Sequence, residues 1–237
     1  VGYEFLDYYM PKGQNYTFGN PNLLSEQTQA YEIGVNREMS ERVTLSVTMY
    51  HKSTRDLVQV AAVPSQPAKY TYYRNQDFGT VKGVEIESEL RRSNRLTLRV
   101  SYSLQEAVGT GSNANSHAHV QWAFVSGITL LPRITGPLDF DQRHKISAVV
   151  DYRFGQEDGP KWGNHYPFAG AGINILFRAG SGFPFTSSLS TDETTLKSII
   201  FNPNGVTNAS RGPWSFQVDL KAHKRIQLGP VEFSAFA

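Results

Sequence analysis

The 237-residue sequence predicts an all-β fold whose antiparallel strands follow one another up and down. Apolar and polar residues alternate along several segments, which is the period of a half-exposed strand. No segment has the periodicity of a confident helix. Brief and long connections alternate along the chain, as in barrels whose short turns lie at one end and long loops at the other. The predicted class is therefore an antiparallel up-and-down transmembrane β-barrel segment.

The clearest alternation lies at residues 145–154. Successive strand side chains point to opposite sides, so the apolar and polar residues of this segment occupy different faces. The apolar face holds Ile146, Ala148, Val150, Tyr152 and Phe154, and the polar face holds Ser147, Asp151 and Arg153. A soluble sandwich would bury the apolar face against a second sheet, whereas a barrel would turn it to lipid and the polar face to a water-filled lumen.

The first quarter of the chain predicts a loop followed by a hairpin. Residues 1–29 are rich in Tyr, Gly, Asn and Pro, which is loop composition. Alternation then runs from Tyr31 to about Val58, interrupted by a short polar turn around Ser40. Residues 60–68 contain two prolines, so we expect a connection that cannot join a central ladder.

Two neighbouring strands in the middle of the chain carry a row of charges. A long strand is predicted from residue 69 to Leu90, and three glutamates near its end share one face: Glu85, Glu87 and Glu89. Such a row cannot be buried unpaired, so this face is wet or meets cations. After a turn at 92–94, the strand at 96–104 places Arg99 where it can lie across from the glutamates.

The second half continues the meander and brings the total to about eight strands. Further strands are expected at 170–180, 214–223 and 231–236, and connections at 107–142, 155–167, 187–213 and 229–230. Gly180 to Pro184 should break the ladder, because proline cannot donate to it.

Composition narrows the functional classes. No window approaches the roughly 18 uninterrupted apolar residues of a membrane-spanning helix. The absence of cysteine removes disulfides and cysteine metal sites. The formal net charge is +2 and the basic residues are dispersed, so nothing indicates nucleic acid as a partner. The chain opens on Val1 without a signal peptide, which indicates either a processed start or a fragment.

Catalytic and metal-binding patterns are weak. His117 and His119 have the i, i+2 spacing of a metal pair on a strand, but the stretch is polar loop and no third ligand is evident nearby. No Ser, His and Asp arrangement has a nucleophile-elbow signature. We therefore expect no enzyme, no metal site and no cofactor.

Four segments resemble the barrels of TonB-dependent outer-membrane receptors, particularly the branch with a carboxypeptidase-regulatory-like N-terminal domain. They are Gly19-Asn20-Pro21-Asn22-Leu23-Leu24-Ser25-Glu26 followed by Tyr31-Glu32-Ile33-Gly34; Asn75-Gln76-Asp77-Phe78-Gly79-Thr80-Val81-Lys82-Gly83-Val84-Glu85; Pro137-Leu138-Asp139-Phe140-Asp141-Gln142-Arg143-His144; and Ser181-Gly182-Phe183-Pro184-Phe185-Thr186. Their order and spacing resemble the second half of that family's barrel. The segment Asp219-Leu220-Lys221 through Lys224 resembles its penultimate hairpin.

The resemblance implies residues 1–237 to be a partial barrel domain without the family's plug, with about eight of roughly 22 strands. It implies a place in the bacterial outer membrane, contact with its lipid, and import of a ligand energised by the TonB complex through the absent plug. It does not name the ligand, because the shared motifs are architectural.

Charged residues on the predicted polar face are the candidate site. They are Glu85, Glu87, Glu89, Arg99, Asp151, Arg153, Arg178, Asp219 and Lys221. The functional hypothesis is a charged lumen wall that contacts the plug or a passing solute. The alternative is a solvated, cross-paired face without selectivity, since exposed ion pairs contribute little individually.

Two rival classes remain open at this point. One is a complete small barrel of about eight strands with a structural or adhesion role. The other is a soluble β-sandwich that binds carbohydrate.

Overall fold

A computed structural model describes residues 17–63, 70–116, 135–163, 165–186, 208–228 and 231–237. Eight long strands lie side by side in chain order, each antiparallel to the next, so the predicted up-and-down meander is confirmed. These are β2 (Gln27–Ser40), β3 (Val43–Val63), β4 (Tyr70–Ser93), β5 (Leu96–Gly109), β7 (His144–Arg153), β8 (Ala171–Gly180), β11 (Ser215–Leu228) and β12 (Val231–Phe236). Within the described residues, we find no helix with the length and hydropathy to cross a membrane.

Four short strands are also present among the described residues. They are β1 (Thr17–Phe18), β6 (Gly136–Pro137), β9 (Pro184–Phe185) and β10 (Ser210–Arg211). β1 pairs in parallel with β4, and β6 pairs with β5. β9 and β10 form a separate two-stranded ribbon.

Several predicted strand limits are wrong. β3 continues to Val63 and pairs with the start of β4, so residues 60–63 belong to the ladder and not to a connection. Val60 and Ala61 pair with Tyr73 and Tyr72, because a proline removes a ladder hydrogen bond only at its own position. β2 begins inside the predicted loop, at Gln27. The predicted loops at 107–142 and 187–213 contain the end of β5, β6 and β10, although 117–134 and 187–207 lie outside the described residues.

Strand register assembles one face of the sheet from apolar residues, which we call the apolar face. One row crosses six strands through Val43, Leu90, Leu98, Val150, Ile175 and Leu220. A second row on the same face, four residues further along each strand, contains Ile86, Tyr102, Ile146, Ala179 and Phe216. Three of these side chains are solvent-exposed, Ile86 at 37%, Leu220 at 65% and Phe216 at 69%, and most of the others are half-buried. A contiguous apolar surface of this size requires an apolar environment to cover it.

Two aromatic clusters border the apolar face. At the end with long connections, His144 stacks between Tyr102 and Trp214, with ring centroids 6.1 and 5.7 Å away. At the end with short turns, Phe154 packs against Tyr152 and Phe168. β7 joins the clusters with 10 residues, or ~34 Å of strand at ~3.4 Å per residue. A tilt of ~40° reduces this to ~26 Å, the height of a membrane barrel's apolar band.

The first two of the four recognised segments meet at Asn75. Its side-chain amide donates to the Leu24 carbonyl at 2.9 Å, and its oxygen accepts from the Leu24 amide at 2.8 Å. It also donates to the carbonyl of Asp56, where β3 bulges and the backbone has a φ of 61°. Asn75 therefore holds the incoming loop and the bulge together.

The last two recognised segments meet at Ser181, whose carbonyl accepts from the Gln142 side-chain amide at 3.0 Å, and the residue before Gln142 is a buried carboxylate. Asp141 is fully buried, and its Oδ1 accepts from the Ala107 amide at 2.8 Å. The Arg211 guanidinium bonds both the carboxylate and the backbone carbonyl of Asp141. Ser181 links the same region to β7, because its hydroxyl accepts from the His144 amide at 3.0 Å. β5, β7 and the β9–β10 ribbon are thus tied at the long-connection end.

A glycine permits the close approach of this ribbon. A Cβ placed on Gly182 would overlap the backbone carbonyl of Gly212, which cannot move aside like a flexible side chain. A Cβ on Gly212 would meet only ordinary contacts, the nearest being the Phe183 oxygen at 3.6 Å.

We therefore predict that Gly182→Ala lowers the free energy of unfolding by about 2 kcal/mol, because it overpacks backbone against backbone. Gly212→Ala is the matched control and should change it by less than about 1 kcal/mol. Urea unfolding of the complete protein in lipid vesicles would measure both. Equal effects of the two substitutions would contradict the predicted close approach.

An ion pair joins the connection between β7 and β8 to the turn between β4 and β5. The Arg95 Nε donates to Asp158 Oδ2 at 2.7 Å, and the guanidinium lies 5.0 Å from the centre of the Phe154 ring. The hydrogen bonds from Arg95 hold the pKa of Asp158 below its ordinary value. The carboxylate therefore stays ionised and keeps the turn attached beside the aromatic cluster.

Candidate functional site

The face opposite the apolar rows is polar, and we call it the polar face. The row at its centre runs through Ser46, Glu87, Ser101, Ser147, Arg178 and Gln217. The adjacent row runs through Thr48, Glu85, Ser103, Lys145, Gly180 and Ser215. Cross-strand neighbours lie about 5 Å apart, so each row forms a continuous hydrophilic strip.

The register places all nine predicted charged residues on this polar face, and several form ion pairs. Glu89 lies directly opposite Arg99, and their side chains are 3.1 Å apart. This is the cross-strand pairing that the sequence predicts. The remaining pairs join Asp151 to Arg153 at 2.7 Å and to Arg92 at 3.7 Å, and Arg178 to Asp219 at 3.9 Å.

Three of the nine are not in ion pairs with any described residue: Glu85, Glu87 and Lys221. The Lys221 ammonium instead lies 5.4 Å from the centre of the Phe236 ring. Cross-pairing therefore explains part of the charged set but leaves two carboxylates exposed without a cation.

These two carboxylates line a concavity of about 590 Å³ on the polar face. Its other charged lining residues are Lys145 and Arg178, and three serine hydroxyls lie between the acidic and basic groups. The set predicted from the sequence omits Lys145. The available signal was its position two residues before Ser147, which puts both side chains on one face of β7.

The chemistry of this lining is hydrogen bonding and charge complementarity. Among the described residues, no group of three or more His, Asp or Glu side chains is placed to hold a metal ion. His117 and His119 lie outside the described residues, so the expectation that they hold no metal ion remains a prediction.

An antiparallel meander with one apolar face, aromatic borders and one hydrophilic concave face defines a segment of an outer-membrane β-barrel. The sequence model of the family described as TonB dependent receptor-like, beta-barrel, matches residues 3–229. The chain belongs to this family, and its location is the bacterial outer membrane. The soluble sandwich is thereby excluded.

Two solved structures with the same fold are described as transporters. The outer membrane transporter YddB from Escherichia coli has a TM-score of 0.59 and 12% sequence identity, over 89% of this chain and 28% of that chain. The FrpB iron transporter from Neisseria meningitidis, F3-3 variant, has a TM-score of 0.52 and 13% identity, over 89% of this chain and 26% of that chain. The chain thus spans little more than a quarter of either structure. No curated protein matches the sequence.

Proposed function

We propose that this chain is part of the barrel domain of an outer-membrane receptor that captures a solute and imports it with energy delivered by the TonB complex. The observation that carries the proposal is the two-faced sheet, in which an apolar band ~26 Å high lies behind a hydrophilic, charged concavity. The family assignment supports the same function.

In this proposal the apolar face contacts lipid and the polar face lines the lumen. The short turns are periplasmic and the long connections extracellular, as in other outer-membrane barrels. The predicted charged set then lies on the lumen wall, where it can meet a passing solute or a plug.

The proposal includes no catalytic step. The concavity combines carboxylates, hydroxyls and two cations, and the support for transport is the family and fold. In this proposal the receptor binds the solute and moves it across the membrane.

Uptake can be tested without knowing the solute. We expect the source bacterium to deplete at least one component of a defined medium that a strain lacking the complete receptor leaves behind. A strain lacking TonB, and wild-type cells treated with an uncoupler, should also leave it behind. Mass spectrometry of the spent medium provides the measurement, and restoring the gene for the receptor is the control.

Identical depletion by the wild-type and receptor-deficient strains in every medium tested would contradict a transport role. Depletion that needs the receptor but persists without TonB would indicate a passive pore instead.

A further inference from the structure

Charges of opposite sign occupy opposite sides of the concavity. Glu85 and Glu87 on β4 form an anionic pole, and Lys145 on β7 with Arg178 on β8 forms a cationic pole. All four side chains are exposed. Among the described residues, Glu85, Glu87 and Lys145 have no ion-pair partner, and Arg178 has only the long contact to Asp219.

Strand register fixes the distance between the poles. Glu85 and Lys145 lie in one row with Ser103 between them, and Glu87 and Arg178 lie in the next row with two serines between them. Strands are ~4.8 Å apart, so the backbone separations are roughly 10 and 14 Å. Among the described residues, no ion pair joins one pole to the other.

The residues between the poles have small side chains that carry hydroxyl groups. Ser101, Ser103 and Ser147 present hydrogen-bonding groups without bulk. The volume of about 590 Å³ falls within the ~300–1,000 Å³ range of small-molecule sites. A ligand with a polar middle and charged ends would match this lining.

We propose that the concavity binds zwitterionic peptides of three or four residues, with the terminal ammonium at the anionic pole and the terminal carboxylate at the cationic pole. This rests on the proposed import function and names its substrate class. An extended peptide spans ~3.3–3.6 Å per residue, so three residues reach ~10 Å and four reach ~14 Å. The serines bond the peptide amides and leave room for different side chains.

Binding of alanine peptides to the purified complete receptor in detergent tests the length requirement. Calorimetric titration with two- to six-residue polyalanines should give the highest affinity at three or four residues. Acetylating the amino end or amidating the carboxyl end should each weaken binding about tenfold, since each removes a charge-assisted contact.

Exchanging the poles tests charge complementarity separately from folding. Glu85→Lys and Lys145→Glu should each weaken binding of trialanine at least tenfold, whereas exchanging all four charges together, Glu85→Lys, Glu87→Lys, Lys145→Glu and Arg178→Glu, should restore it with the peptide reversed. Glu157→Lys and Lys161→Glu, in the turn between β7 and β8, are the matched controls and should bind trialanine like wild type. Folding of every variant is checked by the heat-dependent shift of the barrel band on gels.

Absence of saturable peptide binding, or binding indifferent to length and blocked ends, would overturn the proposal. So would folded pole variants that bind normally. If the poles instead hold another segment of the receptor, the single variants would lower the unfolding midpoint while peptides fail to bind. Binding in detergent needs no TonB, so these outcomes are separate from the uptake experiment.

Discussion

Val150→Arg is expected to lower the free energy of unfolding in lipid vesicles by about 2–4 kcal/mol, the range for an arginine on the lipid face near the bilayer midplane. Val150 lies between Leu98 and Ile175 in the six-strand apolar row. An arginine there has no polar neighbour in that row and must displace lipid or distort the bilayer.

The adjacent valine supplies a matched control. Val149 lies on the polar face between Arg99 and Leu176, in a row that also holds Glu89 and Asp219. An arginine there remains hydrated, and the nearby carboxylates offset repulsion from Arg99, so Val149→Arg should lower the free energy of unfolding by less than about 1 kcal/mol.

Denaturant titrations of the complete receptor in vesicles would measure both variants. Comparable losses, or a larger loss for Val149→Arg, would show that the two faces have been assigned the wrong environments.

The second large effect is expected at the buried carboxylate. Asp141→Ala should lower the free energy of unfolding by about 3 kcal/mol, because it removes the partner of Arg211 and leaves the buried amide of Ala107 without an acceptor. The Arg211 side chain is 29% exposed, so water limits the loss to the lower end of the range for a broken buried pair.

Asp139→Ala controls for the loss of a nearby carboxylate. Asp139 is exposed, although it accepts a hydrogen bond from Asn208 at 2.6 Å. Its removal should lower the free energy of unfolding by about 1 kcal/mol or less. Two measurements would distinguish the variants. The first is the fraction of expressed protein whose gel band shifts on heating, which reports the folded barrel, and the second is the free energy of unfolding in urea. An Asp141→Ala protein as stable as the control would refute the structural role of this cluster.

The local alternation of apolar and polar residues determined which segments form strands and the face on which each side chain lies. Side-chain direction in a strand depends only on parity, so the sequence of β7 already separates Val150 from Ser147, and that of β4 already aligns Glu85 with Glu87. The number of long strands and the predicted opposition of Glu89 and Arg99 follow from the same local pattern and from short turns.

Some strand ends and irregularities could not be predicted from the local sequence pattern. The extension of β3 to Val63 depends on an available partner in β4, and the bulge at Asp56 depends on the Asn75 side chain. The alternation along one strand does not show which residues of a neighbouring strand are available to pair with it.

Only the tertiary structure decided how distant segments meet. The sequence marked four recognisable segments, but their joining in pairs required contacts such as Leu24 with Asn75 and His144 with Ser181, which are 51 and 37 residues apart. The same holds for the concavity, because Glu87 and Arg178 share a row only after three strand pairings have been added in register. Parity along each strand assigns side chains to a face, whereas the order and stagger of the strands determine which side chains become neighbours.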